Sequence, residues 1–318
     1  MFLSILTTMY QSSPYLEEFY RRAVAVASRI TEDFELVFVD DGSPDDSFTV
    51  AERFLKKDPT VRLVRLARNY GHHRAIMAGL SYTQGNLVFL IDCDLEEPPE
   101  LLEGLYQKIR SSPDPPGVVY AVQRSRKGQL FEQVSGRIFY SLFNLLSGTK
   151  VPVNCMMARL MTRPFVESLK AHQESEIFLS GVMRLAGFRQ EVVEGDKRHR
   201  GVSSYSLRKR LSEGVTAITS FSDRPLWVLF LLGSALSLLA FLEISWLVFQ
   251  VVILHAPFVP GWASVLAAIC FFGGLNLLAV GIVGVYLSRI FLEVKKRPCI
   301  VQEVVSNSPK VPREPLPV

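Results

Sequence analysis

The sequence predicts an α/β protein in two parts, a parallel β-sheet domain followed by a pair of membrane-spanning helices. Over the first half of the 318 residues, short apolar stretches alternate with amphipathic ones, the pattern of a parallel sheet with helical crossovers. Two longer apolar stretches, residues 226–254 and 262–292, can each span a bilayer core of about 30 Å. Basic residues flank this pair, whereas the linker between its helices has no Lys or Arg.

The elements of the sheet domain follow one another regularly. Phe2 to Thr8 is a predicted strand, and Ser13-Pro14 is a suitable cap and first turn for a helix that runs to about Ile30. Further strands are predicted at residues 35–39, 61–66, 87–91 and 118–122. A helix is expected from about residue 131 to residue 146. This alternation is typical of a nucleotide-binding fold.

Two carboxylates follow the predicted strand at residues 87–91. Asp92 and Asp94 are one residue apart, and Pro98 then opens a helix. Open α/β sheets bind ligands at the carboxyl ends of their strands, and two acids on a fixed turn can hold a hard divalent cation against a diphosphate. Acidic capping of the next helix would explain the same residues, so the pattern alone leaves both interpretations open.

Charge and cysteine usage indicate a cytoplasmic soluble domain. The net charge is only +4, but basic residues precede the first span and follow the second: Arg208, Lys209, Arg210, Arg224, Lys295, Lys296 and Arg297. The positive-inside rule then places both soluble ends in the cytoplasm, and the N-terminal stretch lacks the basic start of a signal peptide. Four cysteines without CxxC spacing indicate no disulfide framework. No nucleic-acid partner is predicted.

Four segments are expected along the chain. Residues 1–204 form the soluble domain, residues 205–224 a basic amphipathic segment suited to the headgroup interface, and residues 225–298 a transmembrane hairpin. Residues 299–318 are interpreted as a cytosolic, partly disordered tail. Two buried helices of a soluble protein are disfavoured for the hairpin because both stretches exceed 20 residues and only Glu243 is charged near the middle of either.

Several short motifs occur together in the order of one enzyme family. They are Val39–Ser43, Arg68–Gly71, Asp92–Leu95 with Pro98-Pro99, Arg198–Arg200 with Ser203–Tyr205, and Phe221-Ser222 with Pro225-Leu226, ahead of the hairpin. Over residues 1–298 the chain resembles the membrane-anchored GT-A glycosyltransferases of family 2 that load a sugar onto a polyprenyl phosphate, a group that includes dolichyl-phosphate mannose synthase. The resemblance implies a Rossmann-like GT-A domain, an amphipathic interfacial helix and a two-helix transmembrane hairpin.

The same resemblance implies roles for individual residues. It assigns Mg²⁺ or Mn²⁺ to Asp92, Asp94 and Glu96, where Glu96 replaces the family's usual Gln and Asp94 is also catalytic. It assigns the nucleotide to Thr8, Tyr10, Asp41, Arg68 and Asp92. It assigns the acceptor phosphate to Arg124, Arg126, Arg137, Arg198, Arg200 and Ser203, with Arg124 and Arg200 also catalytic. For the run from Lys197 to Arg200, a solvated surface patch or a clamp for anionic lipids is the alternative.

The expected activity is an inverting, metal-dependent transfer of a hexose from a UDP- or GDP-linked sugar to undecaprenyl or dolichyl phosphate. The partners are therefore a nucleotide sugar, a polyprenyl phosphate and the bilayer, and the hairpin could support a homo-oligomer, a dimer or a tetramer. A processive polysaccharide synthase is disfavoured because the chain lacks further spans and a Gln-x-x-Arg-Trp motif. A non-catalytic membrane scaffold or regulator is the alternative hypothesis.

Three sites depart from the family pattern. The first loop and residue 157 favour that alternative, and residue 157 also favours a different donor. The first loop, Thr8–Ser12, lacks the family's Pro and acid, and Met157 stands where the family has an acid. An Arg usually found near Ile177 and Phe178 is absent. His72 and His73 are not predicted to bind a metal, since adjacent side chains at a helix start point to different sides.

Overall fold

A computed structural model of the protein describes residues 1–123, 155–172, 179–196, 224–253, 261–295 and 297–307. The strands within these residues are β1 (Leu3–Met9), β2 (Phe34–Asp40), β3 (Val61–Leu66), β4 (Leu87–Leu90), β5 (Val118–Gln123), β6 (Cys155–Thr162), β7 (Gln190–Gly195) and β8 (Val301–Ser306). The helices are α1 (Ser13–Ile30), α2 (Ser47–Lys57), α3 (His72–Ser81), α4 (Leu101–Ser111), α5 (Arg163–Lys170), α6 (Leu179–Leu185), α7 (Arg224–Val252) and α8 (Trp262–Lys295).

All eight strands belong to one mixed sheet with the order β7-β5-β6-β4-β1-β2-β3-β8. The central strands β3, β2, β1 and β4 are parallel, which confirms the predicted α/β fold. Every residue of β2 is buried, as expected for a strand that helices cover on both faces. Beyond this centre the sheet is not parallel throughout, because β6 pairs antiparallel with both β4 and β5.

Helix α1 shows why the sequence forms the predicted layers. Its buried residues recur every three or four positions: Leu16, Phe19, Ala23, Val26 and Ala27. This spacing places one apolar stripe on the sheet, and the Phe19 ring meets the Phe38 ring of β2 edge to face with centroids 6.1 Å apart. Pro14 lies in the first turn, where its missing N–H costs no helical hydrogen bond.

One predicted boundary needs correction. The helix expected to open at Pro98 begins at Leu101, whose amide donates to the Pro98 carbonyl oxygen, so residues 98–100 form a turn ahead of it. The predicted tail, residues 299–318, contains one regular element among its described residues, Val301–Ser306. This segment forms β8, which pairs antiparallel with β3 and covers that edge of the sheet.

Helices α7 and α8 lie where the sequence predicts membrane spans. Both are long and apolar enough to cross a membrane. They expose large apolar side chains, such as Trp227, Phe230 and Leu277, which a soluble helix would cover with protein. They form a compact unit separate from the sheet domain. The helix predicted at residues 131–146 and the amphipathic segment at residues 205–221 lie outside the described residues.

Candidate active site

The four parallel strands of the sheet end at one edge, and the predicted nucleotide-site residues lie there. Thr8 and Tyr10 lie at and just after the end of β1, and Asp41 follows β2. Arg68 lies two residues past β3, and Asp92 lies two residues past β4. Because β3, β2, β1 and β4 run in the same direction, their carboxyl ends bring residues that are up to 84 positions apart to the same place.

The loop between β4 and α4 is held in place by hydrogen bonds and by a sharp backbone turn. The buried Cys93 thiol donates to the Thr8 carbonyl oxygen at 3.2 Å, and burial raises the pKa of Cys93 to about 12. The Glu96 amide donates to Asp94 Oδ1 at 2.9 Å. Leu95 takes a left-handed φ of 63°, which costs a side chain of this type about 1 kcal/mol. The backbone therefore turns sharply just after Asp94.

Glu97 ties the same loop to β6. Its side chain is 3% exposed, and its two carboxylate oxygens accept the amides of Met157 and Ala158 at 2.9 and 2.6 Å. Charge-assisted hydrogen bonds of this kind are stronger than those between neutral groups. The acid that the family pattern places at residue 157 is absent, but the backbone at Met157 is held in place by an acid from the loop.

His72 reaches the predicted metal-binding residues from the first turn of α3. Its Nδ1 lies 3.0 Å from Thr8 Oγ1, and its Nε2 lies 3.5 Å from Asp92 Oδ1. Burial and the positive charge of Arg159 lower the pKa of His72, so the ring is neutral at pH 7. In the tautomer that suits both neighbours, the Thr8 hydroxyl donates to Nδ1 and the Nε2–H points to Asp92. His72 thus links β1 to the end of β4.

Asp41 holds the turn that follows β3. Its two carboxylate oxygens accept the amides of Tyr70 and Gly71 at 2.7 and 2.9 Å. Burial raises the pKa of Asp41, although the two amides oppose the shift. Gly42 adopts φ +64°, and a Cβ there would lie 2.6 Å from the Arg68 carbonyl carbon, so only glycine lets the two loops approach this closely. The Arg68 guanidinium stacks 4.3 Å from the centre of the Tyr70 ring.

Arg159 on β6 brings a buried positive charge to the same edge. The residue is 6% exposed, and its guanidinium donates to the carbonyl oxygens of Met156 and Met157 and to the sulfur of Met183. Desolvation lowers the pKa of Arg159, while Glu97 and Asp92 are near enough to oppose that shift. Neither Arg159 nor His72 is among the site residues predicted from the sequence.

The donor set at this edge fits a hard divalent cation. Within the described part of the chain, no three His, Cys, Asp or Glu side chains converge closely enough to bind a metal ion by themselves. Mg²⁺ in phosphate-transferring sites usually takes one or two carboxylates and completes its shell with substrate phosphate and water. Asp92 and Asp94 are such carboxylates, and the Asp92 side chain remains 33% exposed.

The predicted acceptor-phosphate residues cannot be placed. Arg124, Arg126, Arg137, Arg198, Arg200 and Ser203 all lie outside the described residues. Glu96 lies in the same loop as Asp92 and Asp94 and is partly exposed. Among the predicted nucleotide residues, Thr8 and Asp92 both lie beside His72. Asp41 accepts a backbone amide of the turn that Arg68 begins. Tyr10 is exposed.

Solved structures with a related fold include glucosyl-3-phosphoglycerate synthase from Mycobacterium tuberculosis in complex with Mn²⁺, uridine diphosphate and phosphoglyceric acid. It matches with a TM-score of 0.50 over 69% of this chain and 76% of its own, at 19% sequence identity. At that identity the likeness concerns the fold alone. The sheet domain is of the GT-A type.

Sequence relatives cover almost the whole chain. A protein of Mycobacterium tuberculosis (strain CDC 1551 / Oshkosh) named as a glycosyltransferase is 41% identical over 99% of this chain and 91% of its own. The bactoprenol glucosyl transferase of Shigella phage SfX is 32% identical over 94% of this chain and 97% of its own. The model of glycosyl transferase family 2 matches residues 4–170, which contain the four strand ends described above. The chain is a glycosyltransferase and belongs to glycosyl transferase family 2.

Proposed function

We propose that the protein transfers a hexose from a nucleotide sugar to a polyprenyl phosphate at a membrane surface. The observation that carries this proposal is the position of Asp92 and Asp94. They lie in a loop held by hydrogen bonds, at the edge where four parallel strands end. The likeness to a bactoprenol glucosyl transferase over 94% of the chain supports a polyprenyl acceptor. Two helices long and apolar enough to cross a membrane would keep the enzyme where such a lipid is found.

The donor would be a UDP- or GDP-linked sugar held at the strand ends, with the nucleotide near Thr8, Tyr10, Asp41 and Arg68. Asp92 and Asp94, with Glu96 from the same loop, would hold Mg²⁺ or Mn²⁺ beside the donor diphosphate. When bound, the divalent ion would supply positive charge for the nucleoside diphosphate that departs. His72 would orient Asp92, and Leu95 and Glu97 would fix the turn that presents Asp94.

The lipid phosphate would act as the nucleophile. One of its oxygens would form a bond to C1 of the sugar as the bond from C1 to the diphosphate oxygen breaks, and attack opposite the leaving group would invert C1. The second pKa of a phosphate ester is about 6, so the acceptor is largely ionised at pH 7 and needs no strong general base. The basic residues Arg124, Arg126, Arg137, Arg198 and Arg200, together with Ser203, are proposed to position it.

The donor and the acceptor can be tested together. Purified full-length protein in detergent is incubated with a short polyprenyl phosphate, Mg²⁺ or Mn²⁺, and a panel of radiolabelled UDP- and GDP-sugars. Transfer moves the label into the organic phase, and one donor should dominate. A protein that binds no nucleotide in the presence of either metal would instead be the scaffold of the alternative hypothesis.

Replacement of Asp94 tests the site itself. Asp94→Asn removes a charge from the proposed ion site, so the transfer rate should fall by about 100-fold or more, while membrane insertion and the thermal unfolding midpoint stay unchanged. Asp114→Asn is the matched control, since the Asp114 side chain is 88% exposed and lies apart from the strand ends in sequence and sheet. Full activity of Asp94→Asn would contradict the assignment of the metal and diphosphate to this loop.

A further inference from the structure

The chain that leaves the second long helix returns directly to the sheet domain. Five residues separate Lys295, the last residue of α8, from Val301, the first of β8. Strand β8 then pairs with β3 from Leu66 opposite Val301 to Arg62 opposite Ser306. Val301 is buried, and the Asn307 side-chain amide donates to the Leu55 carbonyl oxygen at 2.7 Å. The strand is therefore fastened at both ends.

Residues 297–300, which we call the return segment, lie beside the turn after β3. The Ala67 amide donates to the Ile300 carbonyl oxygen at 3.0 Å, so the antiparallel pairing continues past the end of both strands. Arg68 and Cys299 are the next residues along the chain on either side of this hydrogen bond. Arg68 begins the turn whose Tyr70 and Gly71 amides bind Asp41. The return segment thus borders the same turn from the side of the sheet edge.

Cys299 lies within electrostatic range of residues on that turn and on α3. Burial, with the Asp41 carboxylate adding to it, raises the pKa of Cys299 to about 11, and the cations Arg68 and Arg74 oppose the shift. The thiol is only half-buried, and it is uncharged at neutral pH. A small neutral side chain with part of its surface open therefore lies within electrostatic range of the predicted nucleotide residues Asp41 and Arg68.

We propose that the return segment forms one wall of the nucleoside-binding site, with Cys299 as the side chain that limits its width. The inference rests on the proposed function, because it requires a nucleotide at the ends of β2 and β3. The other described residues of the site precede residue 160. The return segment would add a residue that follows both long helices in the sequence. The C-terminal strand then positions part of the donor site in addition to covering an edge.

The side chain at position 299 can be enlarged in steps to test this. In full-length protein, Cys299→Ser should bind the nucleotide that the wild type binds, UDP or GDP, with a dissociation constant within about twofold of the wild-type value. Cys299→Leu should weaken binding, and Cys299→Trp should weaken it by about tenfold or more, which is 1.4 kcal/mol or more. The Michaelis constant for the nucleotide sugar should rise in the same order, while that for the lipid phosphate stays constant.

Gln302→Trp is the matched control, because Gln302 is exposed on β8 and the same bulk is added outside the return segment. It should bind the nucleotide like the wild type. If Cys299→Trp fails to fold, as judged by its thermal unfolding midpoint, the nucleotide dissociation constants of Cys299→Ser and Cys299→Leu are compared instead. Weaker binding by Cys299→Leu then supports the inference. Equal nucleotide affinity across the series would overturn the inference and leave the proposed function intact. A wild-type protein that binds neither UDP nor GDP would overturn the proposed function itself.

Discussion

A single histidine connects two of the strand ends on which the proposed chemistry depends. His72 lies 3.0 Å from the Thr8 hydroxyl oxygen and 3.5 Å from Asp92 Oδ1, and its lowered pKa keeps it neutral. A neutral imidazole can donate to the carboxylate and still accept from the hydroxyl, whereas an imidazolium has no acceptor. The position of the ring suits a residue that orients Asp92 without competing for its charge.

Removal of the His72 ring should lower the transfer activity, because Asp92 would lose the neighbour that orients its carboxylate. Because loss of a residue that orients a metal ligand typically costs 10- to 100-fold, His72→Ala should reduce the transfer rate by about that factor and raise the Mn²⁺ or Mg²⁺ concentration needed for half-maximal rate. His72→Gln, which keeps a donor, should recover part of the loss. His73→Ala is the neighbouring control. An unchanged metal requirement in His72→Ala would show that the contact with Asp92 has no functional role.

Local sequence showed the carboxylates but missed the residues around them. Asp92 and Asp94 are visible because an apolar strand ends abruptly in two acids, a signal contained in a few residues. His72 becomes part of the site only when Thr8, 64 positions earlier, and Asp92, 20 positions later, come together in the sheet. Arg159 lies in the motif in which Met157 replaces the family's acid. Its burial among backbone carbonyl groups depends on tertiary structure and is not visible in the sequence.

At the level of elements, the loop between β4 and α4 is held by contacts with two strands and by its own turn. Cys93 is bound to the end of β1, the turn at Leu95 uses a left-handed backbone, and Glu97 caps two amides of β6. Leu95 packs against the core, which offsets the strain of its backbone conformation. A loop fastened in this way presents Asp94 in a fixed direction before any ligand arrives, which lowers the cost of binding.

Weakening the contact with β6 should therefore affect both stability and function. Glu97→Gln replaces one acceptor by an amide group that faces a backbone N–H, so the free energy of unfolding should fall by about 1–3 kcal/mol and the affinity for metal and nucleotide should fall with it. Glu103→Gln is the control: it breaks only an exposed pair with Arg29, worth about 0–1 kcal/mol. Thermal unfolding of both full-length variants, with and without nucleotide, gives the comparison. Equal unfolding midpoints for Glu97→Gln and Glu103→Gln would show that Glu97 does not hold the loop against β6.

For the whole molecule, the central parallel strands were predictable and the edges were not. Strands β1, β2 and β4 are mostly apolar because helices cover both faces, β3 keeps its apolar residues around Arg62 and Arg65, and each strand is recognisable by itself. Strands β7 and β8 are half-exposed, so their residues carry no strong pattern, and β8 follows a pair of helices that separates it from its partner β3 by more than 200 residues. Its pairing is a property of the assembled fold.

That pairing constrains how the chain can cross a membrane. Strand β8 is hydrogen-bonded to β3, so residues 301–306 and residues 61–66 must lie on the same side. The helices between them, α7 and α8, can then cross an even number of times, and two crossings agree with their length and composition. From the basic residues before and after the pair we predict that this common side is the cytoplasm.

Cysteine accessibility measures this arrangement. In a variant whose four native cysteines are replaced by serine, a cysteine introduced at Ala256, in the linker between the helices, should react in intact cells with a membrane-impermeant maleimide. A cysteine introduced at Ser308, just beyond β8, should react only after the membrane is permeabilised, because β8 keeps that end beside the sheet domain. Both variants should retain transfer activity, which confirms that the labelled protein is folded. Labelling of the Ser308 position in intact cells, with no labelling at Ala256, would contradict the predicted orientation, because β8 and the sheet domain paired with it would then lie outside the cell.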